Sequence, residues 1–365
     1  MKVLFLGFTK IKYMPYANFY LDNINSINNE IHFVYWNRNL KEEDLSRYAN
    51  VSFFEFKYFQ SDDVAKITKV NGFLKYKKFA KKIIKQNNYD LIIALHTFPA
   101  VLLRNVLIKK YKGKFIFDYR DSTYEKYSFF RKIIGRLVKN SKVTFVSSDA
   151  FRTLLPLDCE YKIITTHNIS INTLKQTKNL PKESPNEIIR IAFWGFIRDK
   201  QLNETLIEKI SKDPRFELHY YGREQQIALS LKNFAKSINA ENVYFHGEYS
   251  PEDRYVFASK TDILHNMFDD NNMMLAMSNK YYDGIMFKIP QLCYQGSFMA
   301  QQVKEKGIGY DCDPFSEDFT SKVYKYYNSL NRKLFVDACN EEVENVSQQY
   351  KSAANIILTI GATDE

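Results

Sequence analysis

The stretch Ser278-Asn279-Lys280-Tyr281-Tyr282-Asp283-Gly284-Ile285-Met286-Phe287-Lys288-Ile289-Pro290 decides how the rest of the chain is read. It predicts a capped helix that stops before a proline, followed by an apolar strand over residues 291–294. Ser278 is positioned as the cap, its hydroxyl accepting from a backbone N–H two or three residues on. Asn279 and Lys280 then fall in the first turn, where free N–H groups and the positive end of the helix dipole attract anions. Asp283 follows one turn later on a nearby face and is suited to accepting hydrogen bonds from hydroxyls. A cation and amide cluster beside a hydroxyl-reading carboxylate is what a nucleotide sugar requires. The plain alternative is an ordinary amphipathic helix with polar residues at its start, so the flanking sequence has to decide.

Upstream of this helix, short apolar runs alternate with helical stretches. In the second half, strands are expected over residues 190–194, 216–221, 243–245 and 263–268, with helices over 202–210 and 251–259. Residues 315–331 and 334–357 read as helical. The first half repeats the pattern, with strands over 2–7, 31–36, 51–56, 89–96, 114–119 and 142–147. Helical stretches over 16–27, 72–86, 98–111 and 125–140 separate them. Alternation of this kind means crossover connections and mostly parallel sheets. The fold class is α/β, with two doubly wound, Rossmann-like domains facing across a cleft. Residues 172–187, polar and carrying Pro181 and Pro185, read as the linker. The domains are expected at 1–183 and 184–365, the last helix being the candidate to pack back on the first domain. Such folds bind ligands outside the carboxyl ends of their strands. In the first half this selects Gly7-Phe8, His96-Thr97, Arg120-Asp121, Ser147-Ser148 and His167-Asn168.

A chain of 365 residues is long enough for two cores, and 45% apolar content supports globular folding. No apolar run approaches the ~20 residues of a membrane span, and the N-terminus lacks a signal-peptide core. The chain reads as cytoplasmic, with four scattered cysteines (159, 293, 312, 339) as free thiols. The net charge of +10 is uneven: residues 1–183 carry 32 basic and 16 acidic residues, and the remainder 20 and 26. The first half is therefore drawn to an anionic partner and the second is not.

In the second half the loops after the strands should converge. Gly195 permits a tight turn, and Arg198 and Lys200 project cations from the loop that follows; a charged hydrogen bond to phosphate contributes about 1.5–3 kcal/mol. Tyr221-Gly222 and the region of Asn266 close the same edge and are positioned to flank a base or sugar. The order of these segments, ending in Asn279-Lys280-Tyr281-Tyr282-Asp283 before Pro290, resembles the donor domain of the GT-B glycosyltransferases. The likeness is to the retaining, family-four-like enzymes of bacterial polysaccharide assembly, with their Asn-Lys-Leu-Tyr-Glu run before a Gly-x-Pro. It covers most of the chain, the first half mainly by layout.

The resemblance implies that Arg198 and Lys200 hold the donor diphosphate, that Lys280 assists, and that Asp283 contacts the ribose hydroxyls. It also implies that no strong protein base is needed, since the leaving diphosphate can take the acceptor proton. Asp283 departs from the family in replacing a Glu, and Lys288 stands where a small residue is common. The upstream acidic partner of the family motif is missing near Ala276 and Met277. A Gly-rich loop after the first strand is also absent.

In the first half, Arg120 is a candidate to stabilise the leaving phosphate and Asp121 to contact a sugar hydroxyl; the alternative is a local Arg–Asp pair holding the loop. His96, at a strand end, is either catalytic or a satisfied boundary histidine. Asp311-Cys312-Asp313 matches a metal-binding Asp-x-Asp pattern but sits late in the chain and reads as a turn. Asp269-Asp270 reads as two carboxylates in a polar loop. The six histidines never fall at metal-ligand spacing, so neither an essential metal nor a cofactor is expected.

Two basic helical stretches remain. Phe130, Ile133, Ile134, Leu137 and Val138 form a stripe ringed by Lys126, Arg131, Lys132, Arg136 and Lys139. Six lysines between Lys75 and Lys85 surround Phe79, Ile83 and Ile84. The stripes face a core, and the excess charge suits an anionic membrane surface, at about 1 kcal/mol per basic residue near it. No nucleic-acid recognition module appears. The expected function is transfer of a sugar from a nucleoside-diphosphate sugar to a lipid-linked glycan. The alternatives are a nucleotide-sugar epimerase or hydrolase on the same fold, and a non-catalytic nucleotide-sugar or nucleic-acid binding protein.

Overall fold

Strands buried on both faces read as continuous apolar runs, and Lys2–Leu6 (β1) and Leu91–Leu95 (β4) are of this kind. The computed structural model describes residues 1–24, 29–60, 66–169, 187–250 and 253–362. The chain divides into two compact units, Met1–Ser170 with Gln348–Glu365, and Ile171–Ser347. The expected linker lies outside the described residues except for Glu187.

In the first unit β1 is followed by α1 (Ala17–Asn23), β2 (Glu30–Asn37), β3 (Val51–Lys57) and α2 (Lys66–Gln86). After β4 come α3 (Thr97–Lys110), β5 (Phe115–Tyr119), α4 (Ser128–Asn140), β6 (Val143–Val146) and β7 (Ile163–Thr165). The seven strands are all parallel, in the order β3-β2-β1-β4-β5-β6-β7. The strand order reverses between β1 and β4, the position where doubly wound sheets open a crevice. His96 follows β4, and Arg120 and Asp121 follow β5. Helix α2 starts six residues before the expected helix, and β7 was not anticipated.

The second unit starts with β8 (Ile189–Trp194), α5 (Lys200–Ser211), β9 (Phe216–Tyr221), α6 (Gln226–Ser237), β10 (Val243–Gly247) and α7 (Arg254–Ser259). It continues through β11 (Ile263–Asn266), α8 (Asn279–Phe287), β12 (Gln291–Tyr294), α9 (Phe298–Glu305), β13 (Gly309–Cys312) and α10 (Phe319–Ser329). The last helix, α11 (Arg332–Ala362), starts in the second unit and ends among residues of the first. The six parallel strands run β10-β9-β8-β11-β12-β13, reversing between β8 and β11.

One expectation is corrected here. Asp311-Cys312 is not a solvated turn but the end of β13, paired in register with β12 from Gln291↔Gly309 to Tyr294↔Cys312. The strand is too short and too polar to register as an apolar run. Its glycine is a packing requirement: a Cβ on Gly309 would lie 2.6 Å from the Gln291 carbonyl oxygen and 2.9 Å from Val303 Cβ. All four cysteines are free and buried. Among the described residues no helix is long and apolar enough to cross a membrane. No group of three or more His, Cys, Asp or Glu among them is placed to hold a metal ion.

Candidate functional site

The opening helix α8 forms where expected, and its first turn is held by a polar chain that the sequence did not reveal. Ser278 sits at the N-cap position with extended backbone, but its hydroxyl does not take a first-turn N–H. It donates instead to Asn266 Oδ1 at 2.6 Å. Asn266 Nδ2 donates to Gln291 Oε1 at 2.9 Å, and Gln291 Nε2 donates to the Tyr281 carbonyl at 3.0 Å. This chain pins the start of α8 to the end of β11 and the start of β12. Ser278 is thus a tether rather than a hydroxyl cap. Asn266, fully buried with its amide already engaged, is a structural residue and not a flank of a ligand. A Cβ on Gly284 would lie 2.2 Å from Gln291 Nε2, so the helix can lie this close only with glycine there. At its other end Lys288 takes the left-handed conformation, φ 56°, and its Nζ donates to the Ile285 carbonyl at 3.0 Å. That bond offsets part of the cost of a non-glycine residue in this region.

Lys280 is the centre of the site. Its side chain is buried, with Nζ 4.1 Å from the centroid of the Phe193 ring and 4.7 Å from that of Phe268. Gly195 lies beside it at φ 122°, a backbone conformation that favours glycine; a Cβ there would sit in ordinary contact, 3.8 Å from Lys280 Nζ. Burial, with Arg198 adding to it, lowers the Lys280 ammonium to about 7, against the opposing pull of Asp283 and Asp199. Arg198 reaches the same place, its guanidinium 5.4 Å from the centroid of the Phe268 ring. It is partly exposed and only loosely paired, Nη1 lying 3.8 Å from Asp270 Oδ2. Two basic side chains thus share one aromatic floor at the switch point between β8 and β11, where doubly wound folds open a crevice.

Acids surround this pair. Asp199, left-handed at φ 59°, precedes α5. Burial, with Asp269 and Asp270 beside it, raises its carboxyl to about 7. Asp269 and Asp270, dismissed in the sequence as a polar loop, therefore belong to the site. Lys200 does not join it. The first residue of α5, it is exposed and faces Glu204 at 3.5 Å. Asn279 is exposed at the start of α8.

Asp283 differs from its expected role. It is buried, with Oδ2 accepting from Trp194 Nε1 and Oδ1 from Arg254 Nη1, each at 2.8 Å. Burial still holds its carboxyl above the usual range, against the pull of Arg254. Both oxygens serve the chain's own donors, so Asp283 acts first as an internal anchor between β8, α7 and α8. Neither Trp194 nor Arg254 stood out in the sequence, because their partner lies 89 and 29 residues away. Tyr221 stacks between His246 and Phe257, with centroids 4.2 and 4.3 Å away, in an aromatic wall behind Trp194. Gly222 lets two loops meet, since a Cβ there would lie 2.1 Å from the Gly195 carbonyl oxygen.

The first unit holds a second polar cluster. His96 Nε2 lies 2.9 Å from Asp121 Oδ2, and His96 Nδ1 accepts from the Phe98 backbone N–H at 3.4 Å. With Nδ1 accepting, the proton sits on Nε2 and is donated to Asp121. His96 has φ 80° and ψ 160°, a region close to glycine-only, and such strain gathers at functional sites. Arg120 is corrected: it is buried and pairs with Asp118 rather than Asp121, Nε donating to both carboxylate oxygens at 2.8 and 3.0 Å. Its guanidinium lies 4.7 Å from the centroid of the Tyr16 ring. It holds the end of β5 in place, and its Nη1 and Nη2 are buried without a hydrogen-bond partner.

No protein-family model matches the chain. Over 315 residues it is 22% identical to the O-antigen biosynthesis glycosyltransferase WbnH of Escherichia coli, covering 80% of this chain and 85% of that protein. Among solved structures it resembles sucrose-phosphate synthase of Thermosynechococcus elongatus, with TM-score 0.69 and 11% identity over 99% of this chain and 97% of that one. It also resembles Anabaena HepE in complex with UDP, with TM-score 0.67 and 12% identity over 97% of this chain and 100% of that one. The chain has the GT-B fold of glycosyltransferases and is a distant relative of the O-antigen glycosyltransferases.

Proposed function

We propose that the protein is a glycosyltransferase of surface-polysaccharide assembly. It moves a sugar from a nucleoside-diphosphate sugar to a lipid-linked glycan with retention at the anomeric carbon. The observation that carries this reading is the convergence of Lys280 and Arg198 over Phe193 and Phe268, beside Gly195. A diphosphate entering there brings Lys280 to its charged form and displaces the loose contact of Arg198 with Asp270. Charge-assisted bonds to phosphate then replace weak internal ones. Gly195 and Gly222 supply close backbone approach, Ser278 and Asn279 frame the helix start, and Tyr221 stands near the base. Asp283 holds the wall from inside. Lys200 is left out of the donor set.

The first unit takes the acceptor. His96 and Asp121 form an oriented pair that can hold a sugar hydroxyl. Arg120 supports that loop through Asp118. HepE binds UDP, so a uridine diphosphate sugar is the first donor to test. A thermal-shift panel of UDP, GDP, CMP and ADP should give a rise with UDP that Lys280→Ala abolishes. A flat panel with well-folded protein overturns the reading. Conversion of the donor sugar without an acceptor would favour the epimerase alternative.

A further inference from the structure

Asn203 stands in the first turn of α5 with 2% of its surface exposed, and every hydrogen-bonding position of its carboxamide is taken. Nδ2 donates to the Arg198 carbonyl at 2.7 Å and to the Asp199 carbonyl at 3.0 Å. Oδ1 accepts from the Tyr220 hydroxyl at 2.8 Å and from His265 Nε2 at 3.1 Å. The imidazole proton is on that nitrogen, because His265 Nδ1 accepts from the Met267 backbone N–H at 3.2 Å. Burial, with Lys280 adding to it, lowers this imidazole to about 3, so the ring is neutral at pH 7. The partners of Asn203 lie near the carboxyl ends of β9 and β11 and in the loop after β8, all at the switch point of the sheet.

Packing alone does not select a carboxamide for this place. Its burial is offset only when each donor and acceptor is met, whereas an apolar side chain fills a helix–sheet contact without that condition. What Asn203 adds is a hold on the loop between β8 and α5. Asp199 is left-handed, at φ 59° and ψ 67°, a conformation that a residue with a side chain keeps only where its surroundings over-determine it. Here both bonds from Asn203 Nδ2, and a further one from the Asn203 backbone N–H to the Asp199 carbonyl at 3.1 Å, do so. With both carbonyls drawn to the helix, Arg198 leaves towards the aromatic floor. Its guanidinium lies 5.6 Å from the centroid of the Phe196 ring and 5.4 Å from that of Phe268. Its Nε is buried and has no hydrogen-bond partner among the described residues, so the side chain is held short of an acceptor. The other side of the same amide reaches towards Lys280. His265 packs on Phe193 with centroids 5.2 Å apart, and Phe193 is the ring that lies 4.1 Å from Lys280 Nζ.

We propose that Asn203 is the positioning residue of the donor site: anchored on Tyr220 and His265, it holds the carbonyls of Arg198 and Asp199 and so sets the Arg198 guanidinium beside Lys280 for a diphosphate. It acts through Arg198 and not by touching the donor. The inference rests on the transferase reading, which supplies the diphosphate.

The test is calorimetric titration of the full chain with UDP, uridine and inorganic pyrophosphate, beside thermal melts. Asn203→Asp is nearly isosteric. It keeps the oxygen that Tyr220 and His265 bond, and turns the group facing two carbonyls from a donor into an acceptor. Affinity for UDP and pyrophosphate should fall roughly tenfold or more, with uridine unchanged, because only phosphate contacts pass through Arg198. In an Arg198→Ala background the same substitution should cost no further UDP affinity. Tyr220→Phe removes one bond to Asn203 and spares both carbonyl bonds, so it should lower Tm and leave UDP affinity in place. Asn203→Ser, which adds no charge, takes the place of the Asp variant where that one does not fold. Undiminished UDP affinity in a folded Asn203 variant overturns the proposal. Equal losses for UDP and uridine do the same, and so do losses that add to those of Arg198→Ala. Wild-type protein that binds pyrophosphate but no nucleotide overturns the transferase reading instead, and the pyrophosphate series then decides the role of Asn203 by itself.

Discussion

Replacing Lys280 by Met should make the protein more stable and worse at binding its donor. Burial and Arg198 bring this ammonium from 10.5 to about 7. A displacement of that size disfavours the charged form by at most about 5 kcal/mol. The sign follows from linkage. A base whose folded value lies below its unfolded one contributes stability above pH 10.5 that is lost as pH falls through 7. At pH 6 the wild type carries a charged amine in an apolar pocket, and Met of similar length removes that cost. At pH 9 the amine is neutral and the gain shrinks. For a domain of this size each kcal/mol corresponds to about 2–4 °C in Tm. Donor binding moves the other way, because the variant loses a charged bond to phosphate worth about 1.5–3 kcal/mol, or roughly 10- to 150-fold in Kd. Wild-type affinity should also fall as pH rises above 7, since the free enzyme must then take up a proton to bind, whereas the Met variant should be flat. Calorimetric titration with UDP at pH 6 and 9, beside thermal melts at both, checks each part. Undiminished affinity in the variant, or a lower Tm at pH 6, would refute the assignment of Lys280.

Two further outcomes follow from particular contacts. His96→Gly and His96→Ala both remove the imidazole, but only Ala keeps a Cβ at φ 80°. The Gly variant should therefore be the more stable by about 1 kcal/mol or more in urea unfolding, with transfer activity lost in both. Arg254→Met leaves the buried Asp283 carboxylate with Trp194 alone and should cost about 1.5–3 kcal/mol. Adding Asp283→Asn should recover part of that loss, and strict additivity in the double-mutant cycle would contradict the pairing.

Much of the architecture was open to reading from local pattern. Apolar runs such as 91–95, alternating with helical stretches, announce a parallel doubly wound sheet because a strand buried on both faces has to be apolar throughout. The places where that reading failed are those where length or polarity hides the pattern. Strand β13 has two charged or aromatic residues out of four and exists because β12 offers it a ladder. Helix α8 was legible from its cap, its proline and its periodicity, and Lys280 from its position in the first turn.

What the sequence by itself determined is therefore the periodicity, the charge imbalance and the candidate residues at strand ends. All of these depend on neighbours along the chain. Which candidates share a site was decided by tertiary structure. Asn266, Ser278 and Gln291 sit on three successive elements yet form one hydrogen-bonded chain, and that chain converts two expected ligand contacts into supports. Lys280 and Arg198 meet over Phe268, whereas Lys200, two residues from Arg198, turns away on α5. Asp118, not the adjacent Asp121, takes Arg120, because side chains two apart on an extended strand share a face and neighbours do not. Burial, which sets whether a lysine is a solvated charge or a poised one, is a property of the packed chain and of no local stretch of it.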